Sequence, residues 1–138
     1  MRWFRLVVLV GAVLGTGCSV LDNDEPAEEA RVRLNGTSGV DLELVTSTEF
    51  GFSVDPTTGN RETVLIQSDT VMIRPPYDEV FDISQRGIFL VRLTNAEQEA
   101  ADVTLEVSID GSRKISQQMV IGADEGGVPG RFEWSWLN

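Results

Sequence analysis

The chain has 138 residues, 41% apolar and 24% charged, a balance suited to one globular domain. It has no histidine and one cysteine, which excludes imidazole acid–base catalysis, Ser-His-Asp and Cys-His nucleophilic sites, the usual zinc sites and an internal disulfide. Its net charge of −11 opposes binding to nucleic acid or to an anionic bilayer surface, both of which are polyanionic.

The first segment is basic and then apolar. Arg2 and Arg5 precede an apolar run over residues 6–14, and small residues lead from there to Cys18. That order is the signature of an export signal. The run falls short of the about 20 residues that a membrane-spanning helix needs. Leu14, Gly15, Thr16, Gly17 and Cys18 together resemble the lipobox of bacterial lipoproteins, in which the cysteine is acylated and becomes the new N-terminus. The resemblance implies a lipoprotein signal peptide over residues 1–17, lipidation at Cys18, and attachment to a bacterial membrane through lipid rather than protein. A conventional signal peptide cut nearby and an uncleaved N-terminal anchor are the alternatives. A chain starting at Cys18 would lose Arg2 and Arg5 and keep all 22 acidic residues against nine basic ones, a net charge of −13.

Residues 18–30 read as the lipidated cysteine and an acidic tether interrupted by Pro26. Asp22, Asp24 and Glu25 cluster there. The ligand spacing, central glycine and closing glutamate of a calcium loop are missing, so the cluster reads as solvated linker.

Residues 31–138 read as a β-domain, because the dominant period is two. Val32 and Leu34 alternate with Arg31 and Arg33. After a turn at Asn35 and Gly36, Val40, Leu42 and Leu44 alternate with Asp41 and Glu43, and the two runs are expected to form a hairpin. Phe50, Phe52 and Val54 continue the second run up to a turn-rich loop over residues 55–60. Residues 62–67 and 70–74 are expected to be two strands separated by Ser68 and Asp69, the second ended by Pro75 and Pro76. A short strand is expected over 80–83 and another over 88–93, with a turn at residues 85–87 between them. Residues 95–101 have helical propensity but span only about two turns, and read as a loop with one helical turn at most. Val103, Leu105, Val107 and Ile109 then face one way. Asp110 and Gly111 make a hairpin turn, residues 112–121 return, a glycine-rich loop covers 122–130, and Phe132, Trp134 and Trp136 mark a last strand. Seven to nine short strands, each with one apolar face, predict an all-β, antiparallel, immunoglobulin-like β-sandwich.

Candidate chemistry is sparse. Asp78, Glu79 and Asp82 lie near Tyr77, and paired carboxylates can hydrolyse glycosides. A hydrolase also needs a cleft with several sugar-stacking aromatics and the chain is short, so they read as loop charges. Asp124 and Glu125 make a poor cation cage. Asn35, Gly36 and Thr37 form a glycosylation sequon that reads as a turn. Trp134 and Trp136 share a face with Phe132: they are either core or a ligand or partner surface. No catalytic, metal or cofactor site is expected.

Residues 32–44, with their strand–glycine–strand pattern, and Phe89 to Leu93 followed by Val103 to Gly111, resemble the small membrane proteins of mycobacteria that accompany RND-type lipid exporters. The similarity spans Val32 to Lys114. It implies a non-enzymatic, extracytoplasmic accessory or binding module of a membrane transport or envelope protein complex, on the periplasmic or outer-surface side of the cell envelope. A carbohydrate- or lipid-binding surface lipoprotein and a structural envelope protein are the rival expectations.

Overall fold

A computed structural model describes residues 25–36 and 39–138. The export segment, Cys18, Asp22, Asp24 and Thr37 lie outside them. The described chain is an antiparallel β-sandwich with no helix among the described residues. Its strands are β1 (Glu29–Gly36), β2 (Leu42–Val54), β3 (Arg61–Ile73), β4 (Tyr77–Asp82), β5 (Phe89–Asn95), β6 (Ala101–Ile109), β7 (Ser112–Ile121) and β8 (Gly130–Trp136). One sheet has the order β4-β1-β6-β7, the other β3-β2-β5-β8. The layering is that of immunoglobulin-like sandwiches, although the first two strands, which share a sheet in that topology, here lie in opposite sheets.

The alternation read from the sequence builds the core. Val32, Leu34, Val103, Leu105 and Val107 from one sheet meet Leu42, Leu44, Phe89, Val91 and Leu93 from the other, each at most 1% exposed. Strands with one apolar stripe bury it by stacking face to face.

That stacking explains why the hairpin expected between residues 32–34 and 40–44 does not form. β1 is an interior strand whose two edges are taken by β4 and β6. The chain therefore crosses to the other layer after Gly36 and brings the apolar face of β2 opposite that of β1. Gly36 is required at the crossing: a Cβ there would stand 2.4 Å from the Asp102 carbonyl oxygen.

Residues 62–67 and 70–74, expected as two strands, are one. Ser68 and Asp69 do not turn the chain, and Asp69 pairs with Thr46. The register shifts twice here, between Thr46 and Glu49 with the extra residue on β2 and between Glu49 and Phe50 with the extra residue on β3, a β-bulge region that bends the hairpin. Beyond it, residues 50–54 and 61–65 form a two-stranded ribbon closed by a turn in which the Asp55 carboxylate accepts the Thr57 N–H at 2.7 Å and Gly59 takes φ 73°. The Thr57 and Thr58 N–H groups hold the Asp55 carboxyl below its ordinary pKa.

The ribbon folds back over its own sheet. Thr63 of β3 donates to Glu133 of β8 at 2.5 Å, yet those strands are opposite edges of the sheet, three strand spacings or about 14 Å apart. Beneath the ribbon, on the outer face, Val45 and Leu90 are 6% and 0% exposed, and Phe50 is 8% exposed from above. Glu133 also accepts from Arg92 at 2.7 Å. Burial works against ionisation of Glu133, but Thr63, Arg92 and Arg131 outweigh it and hold its carboxyl below the ordinary value.

The domain starts earlier than residue 31. β1 begins at Glu29, Ala27 is buried, and the Glu28 and Glu29 N–H groups donate to the Asp110 carboxylate at 3.0 and 2.9 Å. The segment over residues 95–101 forms no helical turn, because buried Asn95 organises it as a loop. Its amide donates to the Glu99 and Ile121 carbonyl oxygens at 2.9 Å and accepts the Glu97 N–H at 2.9 Å. Asp110 and Gly111, both at positive φ (47° and 75°), make the tight turn expected between β6 and β7.

Candidate functional site

The two long sides of the sandwich differ. On the β7–β8 side, Phe132, Trp134 and Trp136 lie on the inner face of β8 and pack, half-buried, against the core together with Ile115 and Met119 of β7. The Lys114 ammonium sits 4.6 Å from the centre of the Trp136 ring. The Trp136 indole N–H is buried and meets no acceptor.

The β3–β4 side is open. Val71 points to the inner face of β3 and is 47% exposed, whereas Leu44, its register partner one strand further in, is fully buried. A cleft of about 260 Å³ enters the sandwich here. Its inner end is aromatic: the Phe81 and Phe89 rings lie 5.4 Å apart at 37°, Phe89 fully buried and Phe81 half-buried. Its walls are polar, with Thr46 and Thr48 from β2, Gln67 and Asp69 from β3, and Gln85 from the β4–β5 turn. The Ser47 hydroxyl pins the bulge. It lies 2.5 Å from the Gln67 carbonyl oxygen and accepts the Glu49 N–H at 3.1 Å.

The same side carries the longest sheet edge. β3 runs 13 residues with no strand on its outer edge among the described residues. Val64, Ile66, Val71 and Met72 along it are 47%, 66%, 47% and 60% exposed. The other edges are shorter or blunted. β4 has six residues and starts just after Pro75 and Pro76; β7 carries Arg113 and Lys114 and a register shift in its pairing with β6; β8 has seven residues.

The other sequence candidates fall on neither feature, apart from Asp82 at the rim of the cleft. Asp78 is held by Arg31 and Arg33 at 2.7 and 3.2 Å, and the hydrogen bond from Arg31 lowers its pKa. Glu79 accepts the Tyr77 hydroxyl; burial first, and that bond second, push the phenol's pKa up. Asp82 caps Ser84, whose hydroxyl and N–H lower the carboxyl's pKa. Each of these carboxylates is engaged by a neighbouring side chain. Asp124 organises its own loop by accepting the Gly126 and Val128 N–H groups. No group of three or more metal-ligating side chains occurs among the described residues.

The edge and the cleft were both hidden by reading β3 as two strands. The only sequence signal for them was that residues 61–73 contain neither proline nor glycine. No family model, no curated protein and no solved structure matches the chain.

Proposed function

We propose that the chain is a lipid-anchored, extracytoplasmic docking module. Acylated Cys18 holds it at a bacterial membrane, and the sandwich engages a membrane transport or envelope protein complex without catalysing a reaction. The observation that carries this reading is the long, unpaired, apolar edge of β3. Such an edge offers a row of free N–H and C=O groups to an extended segment of a partner, and alternate side chains supply the specificity. The lipobox-like Cys18 and the resemblance over Val32 to Lys114 support the membrane setting. The absence of histidine and the structural engagement of Asp78, Glu79 and Asp82 favour binding over catalysis.

The test places a photo-crosslinking residue at Ile66 on β3 and, in a separate variant, at exposed Val120 on β7, in intact cells. Crosslinking to one integral membrane protein from position 66, not from position 120, and lost when Cys18→Ser is added, is the expected result. Equal products from both positions, or none from position 66, would refute edge docking.

A further inference from the structure

We propose that the cleft on the β3–β4 side binds a neutral, polyhydroxylated six-membered ring, a single pyranose unit. This site shares Gln67, Ser68 and Asp69 with β3 but takes a small molecule rather than a protein segment, so it goes beyond the docking role.

The chemistry of the lining selects the ligand. Thr46, Thr48, Gln67, Ser68, Asp69 and Gln85 all line the cleft, and none of their side chains makes a hydrogen bond to another described residue. They offer hydroxyl and amide donors, amide and carboxylate acceptors, and no cation. A site with Asp69 and Asp82 and no lysine or arginine in its lining repels phosphate and carboxylate ligands. Polar groups at that density can pair with a ligand that carries many hydroxyls.

The inner end supplies the other half of sugar recognition. Half-buried Phe81, backed by fully buried Phe89, offers an apolar surface to the C–H face of a ring while the polar walls take its hydroxyls. The cleft, at about 260 Å³, is below the roughly 300–1,000 Å³ of drug-sized sites, which suits one ring rather than an oligosaccharide. The cleft is also built in rather than left over. Gln67 and Asp69 lie on β3 opposite the bulge that Ser47 pins, and Asp82 is fixed at the rim by Ser84.

The test is a two-dimensional NMR titration of the full chain, in a detergent without a sugar headgroup, with methyl glucoside, N-acetylglucosamine and glucose 6-phosphate. The two neutral sugars should give saturable shifts confined to residues 46–48, 67–69 and 81–85, and the phosphorylated sugar should bind more weakly. Asp69→Ala should weaken neutral-sugar binding about tenfold or more, the effect of losing one hydrogen bond to a charged group. Asp69 is exposed, so that variant should keep its fold, and Gln85→Ala gives an independent check. Three results would each overturn the proposal: no saturable shift, shifts that centre on β7 and β8, or binding unchanged in both variants. No partner protein takes part, so failure here leaves the edge-docking reading standing, and failure of that reading leaves this one.

Discussion

Removing the Thr63 hydroxyl should loosen the ribbon that folds over the β3-β2-β5-β8 sheet. Thr63 is the residue by which the ribbon reaches Glu133, and the Glu133 and Arg92 side chains beneath are only 21% and 17% exposed. A hydrogen bond to a charged group contributes about 1.5–3 kcal/mol when well shielded. Thr63→Val keeps the branched shape and loses only the bond, so we expect a loss of about 1–2 kcal/mol. Glu133→Ala strands the Arg92 guanidinium. Breaking a fully buried pair costs about 3–5 kcal/mol, and with about a fifth of each side chain still in water roughly 2–3 kcal/mol is expected here. Urea unfolding followed by tryptophan emission measures both losses, and hydrogen exchange locates them. Amides of residues 50–54 and 61–65 should lose protection in Thr63→Val while those of β6 keep theirs. The folded pKa of Glu133 is lowered, so its stabilisation is present above the ordinary carboxylate pKa and disappears as pH falls through the folded value. The Thr63→Val deficit should therefore shrink in acid. A deficit below about 0.5 kcal/mol at neutral pH, the range of ordinary surface changes, with unchanged ribbon protection, would refute the strap.

Gly87 takes φ 65°, and a Cβ there would meet the Pro26 Cβ at 2.9 Å. Gly87→Ala should therefore cost about 1–2 kcal/mol from the left-handed backbone alone and free the segment at residues 25–28, read as a lower melting temperature and faster proteolysis there. Asp110→Ala removes the acceptor for the Glu28 and Glu29 N–H groups and should destabilise by about 1–2 kcal/mol in denaturant unfolding. Asp110→Asn, which keeps an oxygen and tolerates the same backbone, should recover most of it. Leu105 is fully buried in β6, and its truncation to alanine should cost about 2–5 kcal/mol by the same assay. Cys18→Ser should move the protein from membrane to soluble fractions with the β-domain's circular dichroism unchanged; full membrane retention would remove the lipid anchor from the reading.

What the sequence made legible was local. Alternation from Val103 to Ile109 and the Asp110-Gly111 turn marked a hairpin because period and turn chemistry are both short-range signals. Which strands pair is a long-range matter. The glycine after β1 reads equally as a hairpin turn or as a crossing between layers, and only the capture of both β1 edges by β4 and β6 decides between them. Ser68 and Asp69 have the composition of a turn, yet they continue a strand whose register shifts are set together with β2, about 20 residues away. The cleft depends on both events. Its walls come from the bulge, from the strand that was read as two, and from the turn before β5, and no window of the sequence contains all three.

The same asymmetry separates packing from recognition. Large aromatics can close a sandwich or present a surface, and the difference lies in what stands opposite. Phe132, Trp134 and Trp136, with Ile115 and Met119, pack half-buried against the core, so on the β7–β8 side part of each ring serves packing. On the β3–β4 side the strand opposite β3 is short, because Pro75 and Pro76 delay its start and Asp82 ends it. Residues 61–65 leave as the ribbon, so β4 faces only the part of β3 on the other side of the bulge. On that part Val71 and Ile66 are 47% and 66% exposed. Lengthening β4 to match β3 would close the cleft and leave the edge of β3 unpaired in its own sheet. Lysines at Ile66 and Met72, which do not line the cleft, would cap that edge and leave the cleft's lining unchanged. The proposed docking edge and the proposed cleft can therefore be altered separately, which lets experiment assign a role to each.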